Sequence, residues 1–167
     1  TLTAALSLRG WRLLSDEFGA WDPASSLFRA VLKPVSLKNE SIAVIRRFAP
    51  EAPIGPEFPN TRKGTVAHLA PDAAAIAQRH HGVRAGAFIL PRWQAGSRLR
   101  LEPVAPHALF GTVAFNAFNY KLLGQTSFDA VVELVRQCPA WQMVYSDLDE
   151  AVAAIDALWP AVVDRTR

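Results

Sequence analysis

Residues Arg9 to Glu17 decide the fold class, and they read Arg-Gly-Trp-Arg-Leu-Leu-Ser-Asp-Glu. The residues before them, Thr1 to Leu8, have apolar side chains at helical spacing, and a glycine follows where helices usually stop. The apolar segment from Trp11 to Ser15 then predicts a short buried strand that ends in two adjacent carboxylates. Open α/β sheets bind ligands at the carboxyl ends of their strands, so this order predicts an α/β fold with a site at Asp16 and Glu17.

The rest of the sequence alternates between strand-like and helix-like segments. The predicted strands are 27–35, 64–69, 87–91, 99–103 and 141–145, and the predicted helices are 41–48, 71–78, 106–123, 128–137 and 148–158. The phenylalanines and Tyr120 of the long apolar helix 106–123 predict that it packs centrally. Because no repeat or linker divides the chain, we expect residues 1–167 to form a single domain.

Composition restricts the function classes. Of the 167 residues, 50% are hydrophobic and 20% are charged, which is typical of a soluble globular protein and excludes disordered, collagen-like and disulfide-rich chains. The apolar runs are far shorter than the roughly 20 residues of a membrane-spanning helix, so we expect no membrane association. The single cysteine, Cys138, cannot form an internal disulfide and indicates a reducing, bacterial-type cytoplasm.

Charge is distributed unevenly along the chain. Residues 1–100 contain 14 Lys and Arg against 7 Asp and Glu, and residues 101–167 contain 4 against 8, so the two net charges are +7 and −4. A basic first part can attract phosphate groups by long-range steering. Its arginines are scattered singly and are not interleaved with aromatic residues as in single-strand binders, so we expect no nucleic-acid binding.

Asp16 and Glu17 are the leading candidates for chemistry. A carboxylate at the end of a strand can hold a magnesium ion or accept the proton of a nucleophilic hydroxyl, and two adjacent carboxylates can divide these roles. Solvated acids are also common at strand ends. The spacing alone therefore leaves both interpretations open.

Two other segments contribute cations. Lys38 and Glu40 directly precede a predicted helix, where the lysine could bind phosphate and the glutamate a metal ion. Arg62 and Lys63 follow a proline-rich loop and could clamp a phosphorylated substrate. Exposed polar residues without a function would produce the same patterns.

The segment from Thr1 to Glu17 resembles the one that directly follows the P-loop in the HPr kinase/phosphorylase family. In that family Gly-Lys-Ser is followed by a helix, Arg-Gly, one residue, Arg-Leu, an apolar strand and an Asp-Asp pair. This chain has Arg-Gly at 9–10, Arg-Leu at 12–13 and Asp-Glu at 16–17. Segments 33–40, 61–69 and 138–157 look more like the divergent branch called HprK-related kinase A.

The resemblance implies a P-loop-type serine kinase fold, related to phosphoenolpyruvate carboxykinase, that uses ATP and Mg²⁺. It implies that Asp16 is the catalytic carboxylate, which accepts the proton of the substrate hydroxyl, and that Glu17 binds the metal ion. Glu40 is a candidate counterpart of a later metal-binding glutamate, although its neighbours depart from the family's Glu-x-Arg-Gly pattern. The candidate nucleotide-binding residues are Thr1, Lys38, Arg62 and Lys63.

One family motif is missing from the 167 residues, namely the glycine-rich loop with Gly-Lys-Ser. We therefore expect the chain to be the later part of a longer P-loop kinase domain, cut just after that loop. Phosphoryl transfer depends on positioning and electrostatic stabilisation, much of which the P-loop supplies, so we expect these residues alone to be inactive. The family's arginine-bearing loop is not matched at 103–109 either, which argues against phosphorolysis and against HPr as the substrate.

The expected activity of the longer protein is ATP-dependent phosphoryl transfer to a serine- or threonine-type hydroxyl of a protein or peptide. Its expected partners are a nucleotide, that protein or peptide and, since HPr kinases assemble as oligomers, further copies of the chain. The alternative is a non-catalytic module of kinase-like fold that binds or scaffolds another molecule.

Overall fold

The computed structural model describes the chain from Thr1 to residue 165, and over that range it mixes helices and strands, which confirms the α/β class. The helices are α1 (Leu2–Leu8), α2 (Glu40–Phe48), α3 (Ala73–Ala77), α4 (Pro106–Asn116), α5 (Tyr120–Leu123), α6 (Gln125–Gln137) and α7 (Leu148–Arg165). The strands are β1 (Ala20–Asp22), β2 (Leu27–Arg29), β3 (Val35–Lys38), β4 (Phe58–Thr61), β5 (Gly64–Leu69), β6 (Phe88–Trp93), β7 (Arg100–Pro103) and β8 (Ala140–Tyr145).

The chain divides into two compact units. The first contains Thr1–Asp22 and Leu27–Val83, and the second contains Pro23–Ser26 and the residues from Arg84 onward. Two compact units can belong to one domain or to two, so the single-domain organisation of residues 1–167 stays a prediction.

The first unit is built on the antiparallel sheet β3–β5–β4, with β5 in the middle. Leu37 of β3 lies opposite Ala67 of β5, and both side chains are fully buried. Helix α2 packs against β3 and buries Ile42 and Ile45, while α1 packs against α2. The predicted strand 64–69 and the predicted helix 41–48 are confirmed. In the helix, Ile42 and Ile45 are three residues apart and share its buried face.

The predicted strand from Trp11 to Ser15 is wrong, because these residues form an irregular segment. Leu13 is buried as the pattern required, but the backbone hydrogen bond that Val31 donates to the Leu14 carbonyl (3.0 Å) does not extend into a ladder. The predicted strand 27–35 is also interrupted, since Pro34 separates β2 from β3. A proline lacks the N–H donor that a continuous ladder needs.

The second unit contains the sheet β6–β8–β7, in which β6 and β8 are parallel and β7 and β8 are antiparallel. Helix α7 packs against β8, and Met143 of that strand is fully buried. A core cluster joins Leu109 of α4, Val131 and Val135 of α6, and Ala140 of β8. The sequence predicted β6, β7 and β8 to within three residues at each end.

The predicted continuous helix 106–123 is wrong in two respects. The chain leaves the helical conformation at Ala117, which has extended backbone angles, so α4 ends at Asn116 and α5 begins at Tyr120. The helix is also not central: Phe115 is 90% exposed and Phe118 is 84% exposed. Apolar residues surround the whole circumference of α4, so periodicity could not indicate which side is buried.

Side chains near the starts of α7 and α6 have different roles. The Asp147 carboxylate accepts the Glu150 backbone N–H (2.9 Å) and so caps the start of α7. Thr126 and Ser127 lie inside α6 and do not cap it, because α6 begins at Gln125 and not at the predicted residue 128. Within residues 1–165, no helix is both long enough and apolar enough to cross a membrane.

Candidate functional site

The Asp16 carboxylate is anchored to the edge of the first unit's sheet. Its Oδ2 atom accepts the backbone N–H of Ser36 in β3 at 3.1 Å, in partly buried surroundings. The buried Leu13 side chain holds the segment that leads to Asp16. A carboxylate has lone pairs for several hydrogen bonds, so this contact fixes the group and leaves acceptor capacity for a ligand or a hydroxyl.

The amino nitrogen of Thr1 lies close enough to Asp16 and Lys38 to interact with both charges. Burial lowers the pKa of this amino group, Asp16 opposes that shift and Lys38 adds to it. Thr1 as a residue is exposed, and its nitrogen is only partly buried, yet burial is the largest influence on its pKa. The charges of Asp16 and Lys38 therefore both lie within electrostatic range of the first residue of the chain.

The packing of the first two helices explains this arrangement. At the far end of α1, the Arg9 guanidinium lies 4.0 Å from the centre of the Phe48 ring and donates to the Phe48 carbonyl at 3.4 Å. Phe48 is the last residue of α2, and Lys38 lies just before its first turn. The two helices therefore run side by side in the same direction, which brings Thr1 to the end where Lys38 lies.

The hairpin between β4 and β5 is tied to the residues before α2 by the side chain of Asn39. Its Oδ1 atom accepts the Thr65 N–H at 3.1 Å, and its Nδ2 atom donates to the Lys63 carbonyl at 3.3 Å. The Asn39 backbone N–H also donates to the Thr65 carbonyl at 2.9 Å. The hairpin cations Arg62 and Lys63 are thereby attached beside Lys38 and Glu40.

Two unusual backbone conformations make this connection. Asn39 has φ of +49° and Gly64 has φ of +82°, a region that residues with a Cβ rarely adopt. A Cβ atom at Gly64 would also overlap the Asn39 Oδ1 atom. Glycine is therefore needed at position 64 for two independent reasons, and a strained residue lies directly between Lys38 and Glu40.

The predicted metal ligands are not brought together. Glu17 is exposed and forms an ion pair with Lys33 at 3.8 Å, and Glu40 is exposed at the start of α2. In the part of the chain that the structure describes, no three His, Cys, Asp or Glu side chains are grouped as a metal cage would need. Mg²⁺ is often held by one or two carboxylates together with substrate phosphates, a mode that Asp16 and Glu17 still fit.

Sequence reasoning missed two contributors to the site. The Ser36 backbone N–H that anchors Asp16 has no sequence signature, because every residue except proline carries this donor. Asn39 could have been found, since asparagine before a helix and glycine in a hairpin are the residues that tolerate positive φ.

The second unit also has a cleft that no motif predicted. It has a volume of about 660 Å³ and is open to solvent, between residues 97–99 and the first turns of α7. Its polar lining combines Arg98 with Asp147 and Glu150, and the Asp147 carboxylate already caps α7. In the same unit Cys138 is buried, and burial raises the pKa of its thiol, so it has the properties of a small apolar side chain rather than a nucleophile.

The comparisons with known proteins give no neighbour: no protein-family model, no curated protein and no solved structure matches this chain.

Proposed function

We propose that this chain supplies the proton-accepting and cationic parts of an ATP-dependent kinase of the HPr kinase type, acting on a serine- or threonine-type hydroxyl of a protein or peptide. The observation that carries the proposal is the hydrogen bond that holds Asp16 to Ser36 of β3, the strand that ends at Lys38. The resemblance of residues 1–17 independently assigns complementary roles to Thr1 and Asp16.

Asp16 is suited to accept a proton from the acceptor. The Ser36 N–H binds one oxygen of the carboxylate and so orients the group. Because this partner is an uncharged backbone donor, it does not neutralise the charge of Asp16. In the proposed step, the acceptor oxygen forms a bond to the γ-phosphorus of ATP, the bond to the bridging oxygen of ADP breaks, and the hydroxyl proton moves to Asp16. A positioned general base of this kind contributes about 10²- to 10⁴-fold to a rate.

The cations at the end of β3 and in the β4–β5 hairpin would bind the phosphates. Lys38, Arg62 and Lys63 are exposed, and the Asn39 hydrogen bonds attach the hairpin that carries two of them to the segment that carries the third. Charge on the transferred phosphoryl group spreads over its oxygens during reaction, and cations near those oxygens stabilise it. Mg²⁺, when bound, would add to this charge stabilisation, with Glu17 as the candidate ligand next to Asp16.

One set of observations favours the alternative, a kinase-like module that binds without catalysing. Asp16 has a structural role through Ser36, and Glu17 is paired with Lys33. Both contacts could persist in a protein that had lost catalysis. In this alternative the cationic hairpin would bind an anionic partner and Asp16 would only hold the segment before β3.

The proposal is tested first by the coding DNA upstream of the Thr1 codon. We expect a strand, a glycine-rich loop and Gly-Lys-Ser joined in frame to Thr1, because the proposed mechanism needs the amides and lysine of that loop. A start codon at that place without a P-loop would contradict the kinase and leave the binding module.

A second test uses the protein translated from the complete reading frame. Magnesium-ATP at 100 times its dissociation constant should raise the free energy of unfolding by about 2.7 kcal/mol. The double substitution Arg62→Ala with Lys63→Ala should reduce this protection, whereas Arg47→Ala, an exposed arginine on α2, should leave it unchanged. Equal protection of both variants would show that the hairpin cations do not contact the nucleotide.

A further inference from the structure

We infer that the cleft beside α7 in the second unit binds a small zwitterion, namely an amino acid or dipeptide with an aliphatic side chain. The cleft, called the α7 cleft below, has a volume of about 660 Å³ and lies between residues 97–99 and the first turns of α7. That volume falls within the roughly 300–1,000 Å³ of small-molecule sites. The inference concerns the second unit alone and does not depend on the proposed kinase activity.

The α7 cleft lies at the carboxyl ends of two parallel strands. Trp93, the last residue of β6, pairs with Tyr145, the last residue of β8, so both strands end at the same edge of the sheet. Segments 97–99 and 146–147, which follow these strands, supply one part of the cleft lining, and α7 supplies the other. Ligands of open α/β sheets bind in this position, outside the carboxyl ends of the strands.

Hydrogen bonds between the two loops hold the lining in place. The Gln94 N–H donates to the Tyr145 carbonyl at 2.8 Å, and the Ser146 hydroxyl donates to the Ser97 carbonyl at 2.8 Å. The indole N–H of Trp93 donates to the Ser146 carbonyl at 3.2 Å. A lining that is fixed before binding loses little conformational entropy when a ligand binds to it.

One hydroxyl of the lining has no partner. The Oγ atom of Ser97 is buried, and among the residues that the structure describes it has no hydrogen bond. Buried polar atoms of folded proteins are nearly always hydrogen-bonded, because an unsatisfied one costs free energy. Ser97 lines the α7 cleft, where a polar ligand can supply the partner.

The charges of the lining favour a zwitterion. Arg98 comes from the loop after β6, and Asp147 and Glu150 lie at the start of α7. The Asp147 carboxylate accepts the Glu150 N–H, whereas the Arg98 guanidinium and the Glu150 carboxylate have no hydrogen bond or ion pair within residues 1–165. Two carboxylates would repel a simple anion, and Arg98 would repel a simple cation. A ligand with both charges can place its carboxylate against Arg98 and its ammonium group against the acids.

The uncharged part of the lining favours an aliphatic side chain. Leu99, Ala153 and Ala154 contribute apolar atoms to the α7 cleft, and covering them with apolar ligand surface is favourable. Over the described range the lining contains no aromatic ring, on which a nucleobase would stack. Together with the charges, these residues match an aliphatic amino acid or dipeptide better than a nucleotide.

Titration of the full, isotope-labelled chain with L-leucine, followed by NMR chemical shifts, tests the inference. We expect saturable binding with a Kd of about 1 mM or below, and the largest shifts at residues 97–99 and 146–154. Leucinamide lacks the carboxylate, and isocaproate lacks the ammonium group. Each should bind about tenfold more weakly than L-leucine, because each loses a hydrogen bond between charged groups.

Two substitutions separate the two charges of the ligand. Arg98→Gln should weaken the binding of L-leucine about tenfold and should not weaken that of leucinamide. Glu150→Gln should weaken the binding of L-leucine and should not weaken that of isocaproate. Both side chains are exposed, so the variants should keep the fold. The matched control is Arg92→Gln, an exposed arginine on β6 outside the lining, which should bind L-leucine like the wild type.

The dipeptide L-leucyl-L-leucine, which carries the same two charges farther apart, is titrated in parallel. Tighter binding of the dipeptide would assign the α7 cleft to peptides, and tighter binding of L-leucine would assign it to free amino acids. Saturable binding of neither would overturn the inference. Leucinamide or isocaproate that binds as tightly as L-leucine, or equal effects of Arg98→Gln and Arg92→Gln, would overturn it as well.

Discussion

The two compact units of this chain leave different kinds of side chain exposed. The first unit places charged residues at one end of an antiparallel sheet and fixes them with hydrogen bonds from Ser36 and Asn39. The second unit has its parallel strands next to helices and leaves aromatic residues of α4 and its following turn in solvent. The first unit therefore exposes charged groups on fixed segments, and the second exposes apolar side chains.

The geometry of the sheets explains part of this difference. In the first unit β3 and β5 run antiparallel, so the end of β3 and the hairpin that begins β5 lie together, and loops distant in sequence meet there. In the second unit the parallel pair β6 and β8 needs a long crossover, and α4, α5 and α6 lie within it. Several apolar side chains of this crossover are exposed, among them Phe115, Phe118 and Leu122.

The largest expected effect is on catalysis by the complete protein. Asp16→Asn should lower phosphoryl transfer by about 10²- to 10⁴-fold, because the amide cannot accept the hydroxyl proton. Its carbonyl oxygen can still accept the Ser36 N–H, so the fold should be retained. The measurement is transfer of labelled phosphate from ATP, and the matched control is Glu102→Gln, an exposed acid on β7 of the second unit. Equal activity of Asp16→Asn and the wild type would refute the assignment of Asp16.

The next largest effect is a loss of stability on core truncation, and it should be the same in both units. Leu37→Ala in β3 and Met143→Ala in β8 each remove a fully buried side chain from the core of their own unit. Each should lower the free energy of unfolding by about 2–5 kcal/mol, measured by urea denaturation. A much smaller loss at Leu37 would show that the first unit is loosely packed, and its polar edge could then not position substrates.

Some of this architecture could be predicted from the sequence, and the reasons differ from element to element. Strand β5 was predicted with its true bounds because Val66, Ala67 and Leu69 are buried by neighbours on both sides. The segment from Trp11 to Ser15 has an equally apolar sequence, yet it forms no strand because no partner pairs along it. Pairing partners lie elsewhere in the chain, so local pattern cannot identify them.

The charged residues of the candidate site could be predicted from the sequence, but the packing that positions them could not. Asp16 and Lys38 were recognisable as a carboxylate after an apolar segment and a lysine before a helix. That both lie within electrostatic range of the Thr1 nitrogen depends on the packing of α1 on α2, to which the Arg9–Phe48 contact contributes. Glu17 and Glu40 were predicted on the same grounds, but tertiary structure keeps them in separate surroundings.

Substituting one glycine in each unit should change the free energy of unfolding by intermediate amounts. Gly64→Ala places a Cβ against the Asn39 amide at positive φ, so it should lower the free energy of unfolding by about 1–3 kcal/mol. Gly111→Ala in α4 meets no atom within 4 Å and should raise it by about 0.5–1 kcal/mol. Thermal unfolding measures both. Tolerance of Gly64→Ala would mean that the Asn39 connection does not hold the hairpin in place.

The smallest expected effect is the pH dependence of stability, which should have opposite signs in the two units. In the second unit, burial raises the pKa of the Cys138 thiol and of the Tyr145 hydroxyl. The unfolded chain then releases these protons first, so stability is fully present below the unfolded pKa values, about 8.5 and 10, and is lost as pH rises above each.

In the first unit of the 167-residue chain, burial lowers the pKa of the Thr1 amino group, so the unfolded chain binds that proton more tightly. Stability should therefore rise with pH until the amine is neutral in both states, near pH 8. Where a P-loop precedes Thr1, as proposed, this nitrogen is a peptide amide and contributes no such pH dependence. One group changes the free energy of unfolding by at most about 1.4 kcal/mol per pH unit. Urea denaturation from pH 6 to 10 should show a shallow maximum, and Cys138→Ala should reduce the decline on the alkaline side. A decline that Cys138→Ala and Tyr145→Phe both leave unchanged would mean that the core of the second unit admits water around these groups.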